Sequence, residues 1–289
     1  MAQNPIQWFP GHMAKTRRII KECLPQVDVV IELIDARIPY SSRNPEIKKI
    51  IGAKPLITLL TKANLADPQK SKAWVSYYNA HGSTALLVDS LTGLGMNDFT
   101  KAVNSLLSEK IERYKSKGME GRRLKAMIVG IPNVGKSSFI NKLAGGKKAK
   151  VENRPGVTLT KQWITTDIGL DLMDTPGVLW PKFEDESVGQ NLAITGAIRD
   201  AILDTEELAM VLCARLMKCA PREFTERYKL SLDEANELDS YELFELVGKK
   251  RGLLMSGGIV NHERCADMLL EEFRSAKIGR ITLEDAEDA

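Results

Sequence analysis

Gly130-Ile-Pro-Asn-Val-Gly-Lys-Ser137 has the form GxxxxGK[ST], and the reading of this stretch decides the fold. Glycine-rich backbone in this pattern turns its N–H groups toward a phosphate chain, the lysine reaches the terminal phosphates, and the last hydroxyl ligates magnesium. Lys136 and Ser137 fill those two roles, with Asn133, Val134, Gly135 and Ser138 in the same turn. The flanks agree with a phosphate loop. Leu124 to Val129 is a short apolar run that reads as a buried strand, and Ser137 to Leu143 reads as the helix that the loop opens.

A second phosphate motif, Asp174-Thr-Pro-Gly177, ends the apolar run Ile168 to Met173. There the aspartate is placed to hold magnesium through water, and the Gly177 N–H to sense a terminal phosphate. Between the two motifs lies Arg154-Pro-Gly-Val-Thr158, polar and turn-rich, as expected of a loop ordered only by a terminal phosphate and its metal. Thr158 is the candidate for a second magnesium ligand, the plain alternative being that Pro155-Gly156 is an ordinary turn. Two linked motifs at this spacing indicate a nucleotide switch.

Composition permits this without demanding it. With 289 residues, 43% apolar and 27% charged, the chain has room for one sizeable core and a smaller second one. Cys23, Cys213, Cys219 and Cys265 are scattered with no CxxC pair, which argues against a zinc site or a disulfide framework. No apolar run approaches the roughly 18 residues that span a bilayer, and the amino terminus has no signal-peptide segment. The expectation is a soluble, cytoplasmic protein without membrane contact. Net charge is only +3, but basic residues gather at Lys15, Arg17, Arg18 and Lys21, at Lys115, Lys117, Arg122, Arg123 and Lys125, and at Lys147, Lys148 and Lys150. Such clusters are often solvated surface; several of them in a nucleotide switch favour an RNA-containing partner.

The pattern along the chain is that of an α/β fold with a parallel-rich sheet covered on both faces. Val27 to Asp35, Pro55 to Leu60 and Ala85 to Val88 read as strands, Pro68 to Ala80 and Met96 to Glu109 as helices, and Lys110 to Arg123 as a charged connector. After Trp180 strands disappear, and Asp204 to Lys218, Tyr241 to Gly248 and His262 to Ala276 carry helical periodicity. A boundary near Pro181 to Asp185 divides a nucleotide-binding domain with an N-terminal extension, 1–182, from a small all-helical domain, 183–289.

A GTPase needs a base-reading [NT]KxD element, and none follows Asp174. The candidate is Thr61-Lys62-Ala63-Asn64 at the end of the second strand, followed by Asp89-Ser90-Leu91 at the end of the third, with Ser90 beside the base. Both precede the phosphate loop. The ring of elements is complete but opened at a different point, a circularly permuted P-loop GTPase domain, which compact domains tolerate when their ends lie close together. Asn64 is a departure. A carboxylate there accepts hydrogens from both N1 and N2 of guanine, whereas an amide offers one acceptor and one donor and loses charge assistance of about 1.5–3 kcal/mol. Weakened GTP binding, a shift toward xanthine nucleotides, or a site altered in this chain all remain open. Asp67 lies a further turn away, and Asn64→Asp is expected to tighten guanine binding.

The permuted order, the opening Trp8-Phe-Pro-Gly-His-Met13, the loop Gly130 to Ser137, Asp174-Thr-Pro-Gly-Val-Leu-Trp-Pro181 and Lys250-Arg-Gly-Leu-Leu-Met-Ser-Gly-Gly258 together resemble the ribosome biogenesis GTPase A family over nearly the whole chain. The resemblance implies a bacterial, cytoplasmic GTP hydrolase that uses Mg2+. It implies a late role in assembly of the large ribosomal subunit, binding it in the GTP state and leaving after hydrolysis, with a helical domain that contacts RNA. A glutamine that orients water is absent, Val178 and Leu179 standing after Gly177; the resemblance gives that role to His12, beside Lys136, although a histidine next to Trp8 and Phe9 also reads as a packing residue. An asparagine at Asn133 is what potassium-recruiting GTPases carry, and equally what a tight loop tolerates. In the helical domain Lys249, Lys250, Arg251 and Arg264 are candidates for phosphate contacts beside the Ser256-Gly-Gly258 turn. Nothing in the sequence points beyond a monomer. A non-hydrolysing RNA-binding assembly factor is the alternative that Asn64 leaves open.

Overall fold

The computed structural model describes residues 10–145, 163–177, 179–180, 183 and 185–289, with residues 10–16 and 202 described by backbone alone. Its centre is a six-stranded sheet of β1 (Val29–Asp35), β2 (Leu56–Thr61), β3 (Thr84–Leu87), β4 (Leu124–Gly130), β5 (Trp163–Thr165) and β6 (Leu170–Asp174) in the order β3-β2-β1-β4-β6-β5. All neighbours pair in parallel except β5 with β6. The chain winds outward from β1 in one direction and from β4 in the other, so the order reverses between these two strands. A crevice at such a reversal, beyond the carboxyl ends of the strands, is where open α/β sheets bind ligands.

β1 is buried along its whole length, as a strand covered on both faces must be. Its side chains alternate between layers. Val29, Ile31 and Leu33 face a cluster that holds Phe99 and Val103 of α4 (Met96–Leu106) and Phe139 and Ile140 of α6 (Lys136–Leu143). Val30 faces the opposite layer, with Ile20 and Cys23 of α1 (Pro10–Cys23) and Ile47 and Ile51 of α2 (Glu46–Ile51), while Ile34 joins Trp74 and Tyr78 of α3 (Pro68–Ala80). Each such side chain contributes about 1.5–3 kcal/mol on burial. The stretch read as a charged connector is instead helical through α5 (Ser108–Ser116), because Ile111 and Tyr114, three residues apart, pack on the main core.

Beyond β6 the described chain is helical: α7 (Glu186–Ile194), α8 (Thr205–Cys219), α9 (Pro221–Tyr228), α10 (Leu232–Glu237), α11 (Ser240–Lys250) and α12 (His262–Arg274), with a single bridge between Leu254 and Val260. The helices share the sheet's largest apolar cluster, which runs from Val29 to Ile281. The end of the chain then returns to the sheet. Ile281 N donates to Leu65 O, Leu283 N to Arg37 O, and the Trp74 indole to Glu284 O.

Candidate functional site

The carboxyl ends of the parallel strands gather most of the residues singled out by sequence. The phosphate loop follows β4, Asp174 ends β6, Thr61 ends β2, and Asp89 lies two residues beyond β3. Gly135 takes φ +103 as it opens α6, a left-handed conformation that suits glycine, and so presents the helix N-terminus to the crevice. Lys136 is buried and folded back on its own loop, its ammonium donating to Ile131 O at 2.7 Å and Gly130 O at 3.2 Å. Burial lowers its pKa to about 8, the nearby Asp174 carboxylate opposing that shift. Ser137 is half-buried in the first turn of α6 and Ser138 is exposed.

Asp174 fits a metal site on its own chemistry. Its carboxyl is mostly enclosed, burial raises its pKa against the pull of Lys136, and its Oδ1 is buried with no hydrogen-bond partner among the described residues. A buried carboxylate oxygen left unpaired costs about 1–3 kcal/mol unless a ligand satisfies it, and Mg2+ with its waters, shared with Ser137, would do so. That ion would neutralise charge on the terminal phosphates. Among the described residues no three His, Cys, Asp or Glu side chains form a metal cluster, as expected where phosphates complete the coordination. Thr158, the other predicted ligand, lies outside the described residues, as does the side chain of His12, whose backbone forms the first turn of α1. Gly177 is pressed against the phosphate loop: a Cβ there would lie 2.7 Å from Pro132 N and 2.8 Å from Pro132 Cα.

The loop expected to read the base is tied to the phosphate loop through Thr61, whose hydroxyl lies 2.6 Å from Val134 O and 2.9 Å from Ile34 O. Threonine at this position therefore supplies the bond that couples the two loops. Lys62, at φ +56, gives its ammonium to Asp35 Oδ2 at 2.9 Å. Asp35 is also held by a two-pronged Arg37 contact at 2.7 and 2.9 Å; burial alone would raise its pKa, but Arg37 and Lys62 outweigh burial and keep it well below the usual carboxylate range. Asn64 is half-buried, and its backbone N–H donates to Asp89 Oδ2 at 3.2 Å. Asp67 is spent on capping α3 through Gln69 N and Lys70 N, both at 2.7 Å, and so does not stand in for Asn64. Ser90 opens the turn after β3, half-buried.

Three side chains hold this edge in place, of which sequence reasoning named Asp89 and missed Arg280 and Glu284. Asp89, 2% exposed, accepts from Leu91 N, Thr92 N and Asn64 N. Arg280 donates to Ala63 O at 2.7 Å and Ala66 O at 3.1 Å, and Glu284 accepts from Tyr40 N, Ser41 N and Asn191 Nδ2. Asp89 was readable as the acid that closes a strand; Arg280 sits 214 residues from Ala66 and Glu284 sits 244 from Tyr40, and neither carries a local signal.

Other predicted contacts are already committed within the protein. Asn133 takes φ +56 and donates its amide to Gly196 O at 2.8 Å, joining the phosphate loop to the segment after α7. Arg251 pairs with Glu272 at 2.8 Å and lies 6.0 Å from the Tyr228 ring, which removes it from the free phosphate-binding candidates. Lys249 faces Glu245 at 3.4 Å and remains largely exposed. In the basic clusters Arg17 pairs with Glu46 and Arg18 with Glu22, while Arg123 binds Asp171. Lys147, Lys148 and Lys150 lie outside the described residues. Among the described residues no helix is long and apolar enough to cross a membrane.

Residues 125–238 match the family model described as 50S ribosome-binding GTPase. The chain is 49% identical to "Ribosome biogenesis GTPase A" of Priestia megaterium, with 98% of each chain covered, and 32% identical to "Probable ribosome biogenesis GTPase A" of Mycoplasma genitalium, with 96% of each covered. Among solved structures it resembles GNP-bound YlqF from T. maritima, 28% identical, with TM-score 0.65 over 95% of this chain and 100% of that one. A GDP-bound structure of YlqF matches with the same identity and TM-score. The permuted sheet, the phosphate loop on β4 and these full-length similarities make the chain a GTPase that acts in ribosome biogenesis, and it belongs to the ribosome biogenesis GTPase A family.

Proposed function

We propose that this GTPase serves the large ribosomal subunit late in its assembly, binding the particle with GTP and Mg2+ in place and leaving it once GTP is hydrolysed. The observation that carries this reading is the meeting of both phosphate motifs and the base-reading loop at one sheet edge whose loops are bonded to the helical half through Asn133 and Arg280. A change at the terminal phosphate then has a covalent and a hydrogen-bonded route to residues 183–289, the segment assigned to RNA. In this reading residues 1–182 carry the nucleotide, and the monomeric protein works in the cytoplasm. Ser137, Asp174 and Thr158 hold magnesium, Lys136 and the N–H groups of residues 133–138 hold the phosphates, and Thr61, Lys62, Asn64 and Ser90 frame the base. His12 orients the attacking water. Lys249, Lys250 and Arg264 meet RNA phosphates. Potassium beside Asn133 would require its amide to release Gly196.

Phosphate release from GTP with and without purified large subunits tests the proposal. Stimulation of tenfold or more by the large subunit, and not by the small one, is the expected result; equal rates in all three tubes would overturn it. His12→Ala is expected to lower the stimulated rate by about 100-fold with little change in GTP affinity, the size of a general acid–base contribution.

A further inference from the structure

We infer that Asp89 is the positioning residue that makes Asn64 a reader of guanine. The inference rests on the assignment of Thr61 to Asn64 to the base. Asn64 stands where an acceptor is wanted for the N1–H and N2–H groups of guanine. Its amide carries one acceptor and one donor, and a free amide would be drawn equally to xanthine, whose C2 oxygen accepts from Nδ2 while N1–H donates to Oδ1. Something beside Asn64 must take the donor away from the base.

Asp89 is built to do this. It is 2% exposed and ends the segment after β3, facing the base-reading loop. Its Oδ1 accepts from Leu91 N at 2.7 Å and Thr92 N at 3.0 Å, which uses both lone pairs. Among the described residues its Oδ2 accepts only Asn64 N, at 3.2 Å, which leaves one lone pair of a buried carboxylate open within a side chain's length of the Asn64 amide. An ionised acceptor in a low-dielectric setting outcompetes a neutral base edge for the Nδ2 donor. With Nδ2 turned to Asp89, Oδ1 alone faces the ligand and accepts from N1–H and N2–H together. The carboxylate that selects guanine thus acts one residue removed from the base.

This changes what Asn64→Asp does by itself. A second carboxylate beside Asp89 meets like charge and no donor, so the single substitution does not tighten GDP. The paired exchange N64D/D89N restores a carboxylate at position 64 with an amide donor behind it.

The test is binding of GDP and XDP to the full-length protein carrying N64A, N64D, D89N or N64D/D89N. Both ligands share ribose and phosphates, so a merely damaged loop weakens both and leaves their ratio unchanged. N64A is expected to weaken GDP at least tenfold. D89N is expected to lower the GDP-over-XDP preference at least tenfold, and N64D/D89N to bind GDP at least tenfold more tightly than N64D. If N64A leaves GDP affinity unchanged, the base-site assignment itself fails. If N64A weakens GDP but D89N leaves the ratio unchanged, or N64D alone matches the double variant, the role of Asp89 is overturned while the site stands. N64D is informative even where D89N fails to fold, because it leaves the Asp89 contacts in place.

Discussion

Lys136 shows how a single residue carries both a stability term and a binding term. Its folded pKa is about 8, below the ordinary lysine value, because burial disfavours the ammonium more than Asp174 supports it. Between pH 8 and the ordinary lysine range the unfolded chain holds the proton more tightly than the folded one, so this group makes stability rise with pH across that window. Phosphates bound to this ammonium, as proposed, would reverse the sign. GDP affinity is expected to be flat below pH 8 and to fall above it, by at most tenfold per pH unit, with proton uptake on binding; calorimetry in two buffers of different ionisation enthalpy would read both. Invariant affinity from pH 7 to 10 would show that Lys136 is not the phosphate ligand. The phosphate chemistry was legible in the sequence because Gly130 to Ser137 carries its own geometry. The chemistry of Asn64 was not, because the groups that decide it, Asp89 and Arg280, come from another strand end and from the end of the chain.

An element that the sequence disclosed is α3, which runs from Pro68 to Ala80, as read, its start fixed by the Asp67 cap and the proline behind it. The ones it concealed are short or polar. β5 is a three-residue edge strand, α7 has nine residues behind an Asp185 cap, and α5 hides its half-buried pair Ile111 and Tyr114 among charges. Contact between elements was less legible still, as the fit of Gly177 against Pro132 shows. Gly177→Ala forces a methyl into the phosphate-loop backbone, and is expected to cost about 1–3 kcal/mol of stability and most GTP turnover, read by thermal melting and phosphate release. A variant of unchanged melting temperature and turnover would mean that the loop yields freely. Arg280→Ala removes two charged hydrogen bonds from the base-reading loop. It is expected to weaken GDP roughly three- to tenfold while leaving the rate at saturating GTP within about twofold, since nothing in that contact touches the phosphates.

At the scale of the whole molecule, permutation replaces a terminus with a wire. A chain joined from β3 to β4 and opened between β6 and β1 sends β6 forward into the helices, and the last residues come back to clasp the loop that β2 presents. Arg37 stands at the crossing: buried, it binds Asp35 at the site, and lies 3.4 Å from both Thr195 O and Arg274 O of the helical half. Removing its guanidinium leaves Asp35 with the Lys62 ammonium and the residue-37 N–H, and Arg37→Ala is expected to cost about 3–5 kcal/mol, seen as a lowered denaturation midpoint. The order of strands was derivable because a ring of elements keeps its neighbours wherever it is cut; the clasp was not, because residues 280–284 carry no period that announces a partner. Its consequence is measurable by hydrogen exchange. GDP should slow exchange in the loop 61–67 and, through Arg280 and the Ile281 bond to Leu65, in residues 280–284 as well. In Arg280→Ala the first effect should persist and the second shrink, since the ligand still orders the loop but has lost the side chain that reports it. Equal protection of 280–284 in both proteins would mean that the clasp is fastened independently of the nucleotide, and that the route to the helical half runs through Asn133 and Gly196 instead.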